Sequence, residues 1–270
     1  MLAVLGWAGA GALVLSAMIG RGVMAQTAGG AEKAQPPKAM AADAHPVFEV
    51  AAIKLSDPNQ SANGFHAEGR HVFIVNQTLV KMVMFAYAVQ QSQVAGGPEW
   101  ASTVRYDING VPNVEGGPNI KQIQEMIQKL LSDRFGLVFH RETRELPVYA
   151  ISLAKGGAKL TSAANPNGVT GESGLQHGTE LTMRFTNSSI ADLALNMQLV
   201  VDRPIVDRTG LPGRYDFKLR YNLDETRATD PNAPPGLFTA IQEQLGLKLE
   251  AVKAPTQVLV VDAVERPSAN

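Results

Sequence analysis

A chain of 270 residues, 45% hydrophobic and 18% charged, has the make-up of a globular protein rather than a disordered one. Its 24 basic residues are balanced by 25 acidic ones, a net charge of −1, which excludes a general attraction to nucleic acid or acidic lipid but not a local patch. It contains no cysteine, so disulfides, thiolate zinc sites and a cysteine nucleophile are excluded together.

In chain order, residues 2–20 (LAVLGWAGAGALVLSAMIG) carry no charge, and Arg21 is the first basic residue. Val23-Met24-Ala25 has the small-x-small pattern that precedes a signal-peptidase cut. Residues 1–25 therefore read as a signal peptide, or as a retained anchor, since the uncharged run approaches the length of a bilayer span. Residues 26–46, rich in Ala, Gly, Pro and Lys without apolar period, read as a flexible linker. About 220 residues are left for the folded body, which is expected outside the cytosol.

Phe48–Leu55 reads as a strand, followed by a strand over His71–Val75. Thr78–Val89 reads as a helix with Leu79, Met82, Val83 and Ala86 on one face. Arg105–Val111 alternates as a strand does. Asn119–Phe135 is the longest predicted helix, with an apolar stripe of Ile120, Ile123, Ile127, Leu130 and Leu131 and a stop at Gly136. Leu137–Arg141 and Pro147–Ala154 are expected to form a hairpin around Glu142–Glu145. The Gly- and Asn-rich stretch 158–180 reads as a connector. Strands are then expected at Met183–Phe185 and Tyr215–Tyr221, helices at Ile190–Leu199 and Leu237–Gln244, and a closing strand pair at Leu247–Val252 and Gln257–Val264.

Four segments recur in the same order at a spacing near 110 residues. Asn76-Gln77-Thr78-Leu79 matches Asn187-Ser188-Ser189-Ile190, and Arg105-Tyr106-Asp107-Ile108 matches Arg214-Tyr215-Asp216-Phe217. Phe135-Gly136-Leu137 matches Leu245-Gly246-Leu247, and Pro147–Ile151 matches Pro255–Leu259. The expected fold is α+β, with two related halves, each a small mixed sheet with two helices. The first repeat spans 47–157 and the second 181–266.

The run Leu130 to Leu160, together with Gly96-Gly97-Pro98-Glu99-Trp100, Asp202–Phe217 and the tail Leu237–Asn270, resembles an uncharacterised envelope-protein family. This is the "Soli" conserved hypothetical family, expanded in soil acidobacteria and known as a domain of unknown function. The resemblance implies an envelope location and carries no activity, cofactor or catalytic residue. The helix-Gly-Leu-strand arrangement of Ile120–Ile151 is also similar to the short N-terminal domain of secretins and TonB-dependent receptors, a periplasmic protein-interaction module.

The five histidines, His45, His66, His71, His140 and His177, form no His-Glu-x-x-His helix. His66 and His71 flank Glu68, but a five-residue spacing along a strand would turn them to opposite faces. Gly171-Glu172-Ser173-Gly174 lacks the last spacing of a nucleophile elbow, and Ser152-Leu153-Ala154-Lys155 falls on a strand instead of a helix start. Asp107 and Asp216 read as structural, bonded to backbone or to Arg105 and Arg214. No catalytic residue, metal site or cofactor is assigned. The candidates for partner binding are Trp100, after the Gly96-Gly97-Pro98 turn, and the cluster His140, Arg141 and Arg144. Trp100 is expected either to be exposed for binding or to lie under the turn.

The sequence thus predicts an exported, non-catalytic envelope module that binds a protein or cell-wall partner. It assigns no nucleic acid, membrane attachment only through the N-terminal segment, and no defined oligomer. Two alternatives stand beside it: an extracytoplasmic hydrolase built around His140, Arg141 and Asp107, and a sensor domain for a membrane protease or transporter.

Overall fold

The computed structural model describes residues 39–41, 43–168, 170–198, 200–223 and 233–267. The signal or anchor segment and residues 26–38 of the linker lie outside them. The first elements are β1 (Phe48–Leu55), β2 (Gly64–Glu68), β3 (His71–Thr78), α1 (Leu79–Tyr87), β4 (Val94–Gly96), α2 (Trp100–Thr103), β5 (Arg105–Pro112), α3 (Ile120–Phe135) and β6 (Val138–Leu153). They are followed by β7 (Thr161–Ser162), β8 (Gly171–His177), β9 (Glu180–Ser188), α4 (Ile190–Met197), β10 (Ile205–Asp207), β11 (Tyr215–Asn222), α5 (Leu237–Ala240), a π-helical turn (Ile241–Leu245) and β12 (Leu247–Ala263). The fold is mixed α+β. It divides into two compact units, one of residues 1–142 with 259–270 and one of residues 143–258.

In the first unit an antiparallel sheet runs in the order β1-β5-β3-β2. The alternation of Val72, Ile74, Tyr106 and Ile108 turns one sheet face inward, where α1 and α3 cover it. α1 starts where the Thr78 hydroxyl accepts from the Lys81 N–H, and buries Leu79, Met82, Val83 and Ala86 at helical spacing. α3 begins with a reciprocal capping box between Asn119 and Gln122 and ends at Gly136, whose left-handed φ of 57° lets its N–H and that of Leu137 reach the Leu131 carbonyl. Its buried face holds Ile123, Met126, Ile127, Leu130, Leu131 and Phe135, while Ile120, counted in the expected stripe, is 49% exposed. The last strand of this unit comes from the far end of the chain: β4 pairs in parallel with β12, Val94 opposite Leu259.

The second unit contains an antiparallel sheet in the order β7-β11-β9-β8. Phe185, Leu219 and Tyr221 face α4, α5 and the π-helical turn across a core that includes Ile190, Leu193, Ile241 and Leu245. β10 pairs in parallel with β6, Ile205 opposite Tyr149.

One polar device occurs in each unit. Asn76 and Asn187 both sit at positive φ, 54° and 51°, where the strand pairing shifts register. The Asp107 carboxylate accepts from the Asn76 N–H at 2.9 Å and from the Ser56 hydroxyl at 2.7 Å, and Arg105 donates to the Asn76 carbonyl at 3.1 Å. Asp216 likewise accepts from the Asn187 N–H at 2.7 Å and from the Ala164 N–H at 3.1 Å, while Arg214 donates to the Asn187 carbonyl at 2.6 Å. The two backbone donors hold the Asp216 carboxyl below its ordinary pKa. The aspartates thus bond to backbone, whereas the arginines take the asparagine carbonyls and not the aspartates.

Several expectations are corrected. β6 is one continuous strand, so Glu142–Glu145 is no hairpin tip, and Leu247–Val252 with Gln257–Val264 likewise form the single strand β12. The supposed connector contains β7 and β8, the latter paired with β9 along its whole length. The end of the linker is fixed to the first unit: Met40 is buried, its N–H donates to the Gly117 carbonyl at 2.9 Å, and the Gln122 amide donates to the carbonyls of Ala41 and Ala44.

Candidate functional site

Side chains alternate along β6, so Phe139 and Arg141 point to one face and His140 and Glu142 to the other. The His140 ring lies between two carboxylates, with Nδ1 2.8 Å from Asp262 Oδ1 on β12 and Nε2 3.1 Å from Glu142 Oε1. A neutral imidazole has a single N–H, so two carboxylate acceptors are both satisfied only by the imidazolium. The hydrogen bonds to Glu142 and then to Asp262 accordingly raise the His140 pKa.

A raised pKa in the fold means that His140 adds stability below its unfolded pKa of about 6.5, and that this is lost as pH rises through the folded value. NMR titration of the imidazole is expected to show a midpoint above that of a free histidine, falling back in the double variant E142Q/D262N. A midpoint that does not move in that variant would contradict the two-carboxylate arrangement.

On the other face, the Arg141 guanidinium stands 5.8 Å from the Phe139 ring centre, and Phe139 meets Tyr87 edge-to-face at 4.9 Å. Burial pushes the Tyr87 phenol above its ordinary pKa, against the smaller opposing effect of Arg141. Trp100 opens α2, half-buried against the first unit's core, with the Arg266 guanidinium 5.7 Å from its ring centre. Its ring is thus partly covered by the core and flanked by Arg266, and partly open. The turn residues Gly97 and Pro98 border a shallow depression together with Val261, Asp262, Ala263, Val264 and Glu265. Asp262 thus joins this depression to His140. Arg144 is exposed on the part of β6 that belongs to the second unit.

His66 and His71 do not alternate on one strand. They stand on β2 and β3 with the β-turn between them, and both rings stack with Phe73, at 5.0 and 6.0 Å, on a single face of the sheet. Among the described residues no three His, Asp or Glu side chains converge to hold a metal ion. Asp107 draws its partners from Lys54, Ser56, Gln60 and Asn76, and so shares none with His140 or Arg141. Gly171–Gly174 is part of strand β8.

Sequence reasoning missed an aromatic group in the second unit. Tyr149 donates to Asp202 at 3.0 Å, carries the Arg203 guanidinium 5.3 Å from its ring centre, and meets Phe238 edge-to-face at 5.1 Å. Phe238 also borders a shallow depression with Thr239, Gln242, Glu243, Lys248 and Leu249. The Asp202-Arg203 dipeptide was legible, but its distance from Tyr149 in sequence hid the contact.

A family model described as "Protein of unknown function (DUF3738)" matches residues 80–264. The chain belongs to this family. The match begins in α1 and ends just beyond β12, so it takes in the four candidate residues and the Asn187-Asp216-Arg214 clamp, while Asn76 of the other clamp precedes it. No curated protein and no solved structure matches the chain. The envelope setting and the secretin-like module stay readings of the sequence.

Proposed function

We propose that this member of the unknown-function family is an exported, non-catalytic envelope module that binds a protein or cell-wall partner. Trp100, His140, Arg141 and Arg144 are its candidate contact residues. The observation that carries the proposal is the employment of the polar side chains. Asp107 and Asp216 each clamp a strained asparagine, and His140 is held between two carboxylates. These groups serve the fold, and the depression that Asp262 borders beside His140 is shallow.

The reading of the body as one βα unit used twice belongs to the same proposal. It is supported by the matching strand orders β1-β5-β3-β2 and β7-β11-β9-β8 and by the two Asn-Asp-Arg clamps at equivalent places. The hydrolase alternative is disfavoured by the separate partners of His140 and Asp107 and by the opposed faces of His140 and Arg141. A sensor for a membrane protease or transporter is a special case of the binding module. Crosslinking of the full chain in its native membranes is expected to give one defined adduct, reduced in W100A and R141A. A chain that forms no adduct with several crosslinkers would remove the proposal.

A further inference from the structure

The inward residues of the second unit's sheet, Phe185 on β9 and Leu219 on β11, fix which side chains point the other way. The outward face then presents Arg184, Lys218 and Arg220 on adjoining strands. Arg184 and Lys218 are direct cross-strand partners. Like charges placed opposite each other repel, and the usual arrangement pairs opposite signs. Arg220 is offset by Glu180 at 2.7 Å, but neither Arg184 nor Lys218 has an ion-pair partner among the described residues. Both are exposed. This is the local basic patch that a net charge of −1 leaves open.

A second observation adjoins it. β8 is the outer strand of this sheet and is exposed along its length. Its Leu175, opposite Thr182 and on the same face as the cations, is 74% exposed. The one carboxylate of β8, Glu172, points to the other face, where it accepts from Asn196 at 3.2 Å. The cationic face is therefore continuous with an open strand edge and a bare apolar side chain.

We propose that this face binds an extended acidic protein segment. Its carboxylates would neutralise Arg184 and Lys218, an apolar side chain would cover Leu175, and its backbone would pair along β8. A sheet face without a cavity suits an extended chain better than a small anion. The exposed leucine and the open edge favour a polypeptide over a nucleic acid or an anionic lipid. The inference deepens the binding-module reading and rests on it.

The test uses the full chain and a fluorescent peptide of alternating Glu and Leu, with an alternating Lys–Leu peptide as control, at about 0.15 M salt. Anisotropy is expected to show binding of the acidic peptide only. R184E/K218E should weaken it at least about tenfold, as fits the loss of two charge contacts. L175S should weaken it as well, and K121E on the first unit should not. The neutral variant R184T/K218T relieves the repulsion, so it should melt no lower than the parent while still losing affinity. The proposal is overturned if the acidic peptide does not bind, or if charge reversal leaves its binding unchanged. Charge-sensitive binding to phosphatidylglycerol vesicles without peptide binding would equally overturn it. A membrane crosslink that survives R184E/K218E would remove this surface and leave the binding-module reading intact.

Discussion

Gly246→Ala is expected to destabilise the second unit by about 3–5 kcal/mol, whereas Gly136→Ala costs the first unit only about 1 kcal/mol. Both glycines end a helix in the left-handed region, at φ 66° and 57°, and both belong to the same recurring sequence motif. Their surroundings differ. A Cβ on Gly246 would lie 2.0 Å from the Gly157 carbonyl oxygen and 3.0 Å from the Lys159 nitrogen. That backbone is tied in place, because Lys159 donates to the Leu245 carbonyl at 2.8 Å and Ala154 to the Gly246 carbonyl at 2.9 Å. A Cβ on Gly136 would meet nothing nearer than the Glu265 Cγ at 4.0 Å. Only the left-handed strain is left there, partly offset by a less flexible unfolded chain. Urea unfolding followed by amide exchange in each unit separates the two costs. Equal losses would show that the close approach of Gly157 is not what constrains Gly246.

Leu259→Ala is expected to cost the first unit about 2–5 kcal/mol, although the residue lies near the chain's far end. Leu259 is 1% exposed, stands opposite Val94 in the parallel pairing with β4, and belongs to the same core as Phe135 and Ile127. Removing residues 259–270 would take more. β4 would lose its partner strand, the Phe135 carbonyl its bond from the Glu265 N–H at 2.7 Å, and His140 its Asp262. Such a truncated chain is expected to lose amide protection at Leu130, Leu131 and Phe135 while residues of the second unit keep theirs. Protection retained in the first unit would refute the role given to β12.

The longer helices were legible in sequence because their ends are written in single residues, whereas α2, four residues long, showed no period. Thr78, Asn119 and Gly136 act as the caps that their side chains, or the lack of one, suggest. β1 was legible from its apolar composition and its bounds. What escaped was strand without apolar alternation. β8 is held by backbone pairing while every one of its side chains is exposed, so it left only a Gly-rich signature. The middle of β6 reads Glu-Thr-Arg-Glu and imitates a solvated turn, although it lacks the Gly or Asn that a tight hairpin needs. β4 and β10, at three residues each, are too short to show a period. The candidate site was legible in composition, not in pairing. Nothing near His140 in sequence points to Asp262, and the Arg184–Lys218 opposition appears only once the register of β9 and β11 is known.

The division of the chain has a consequence for its biosynthesis. The second unit is one uninterrupted stretch, but the first is assembled from residues more than a hundred positions apart. As the polypeptide leaves the ribosome, the earlier-made portion must wait on the order of ten seconds for its closing strand. During that interval the apolar surface around Phe135 that Leu259 later covers is bare. A chaperone that shields this surface would matter most for the part of the protein made first, and vectorial order would be reversed: the later-encoded unit is the earlier to mature.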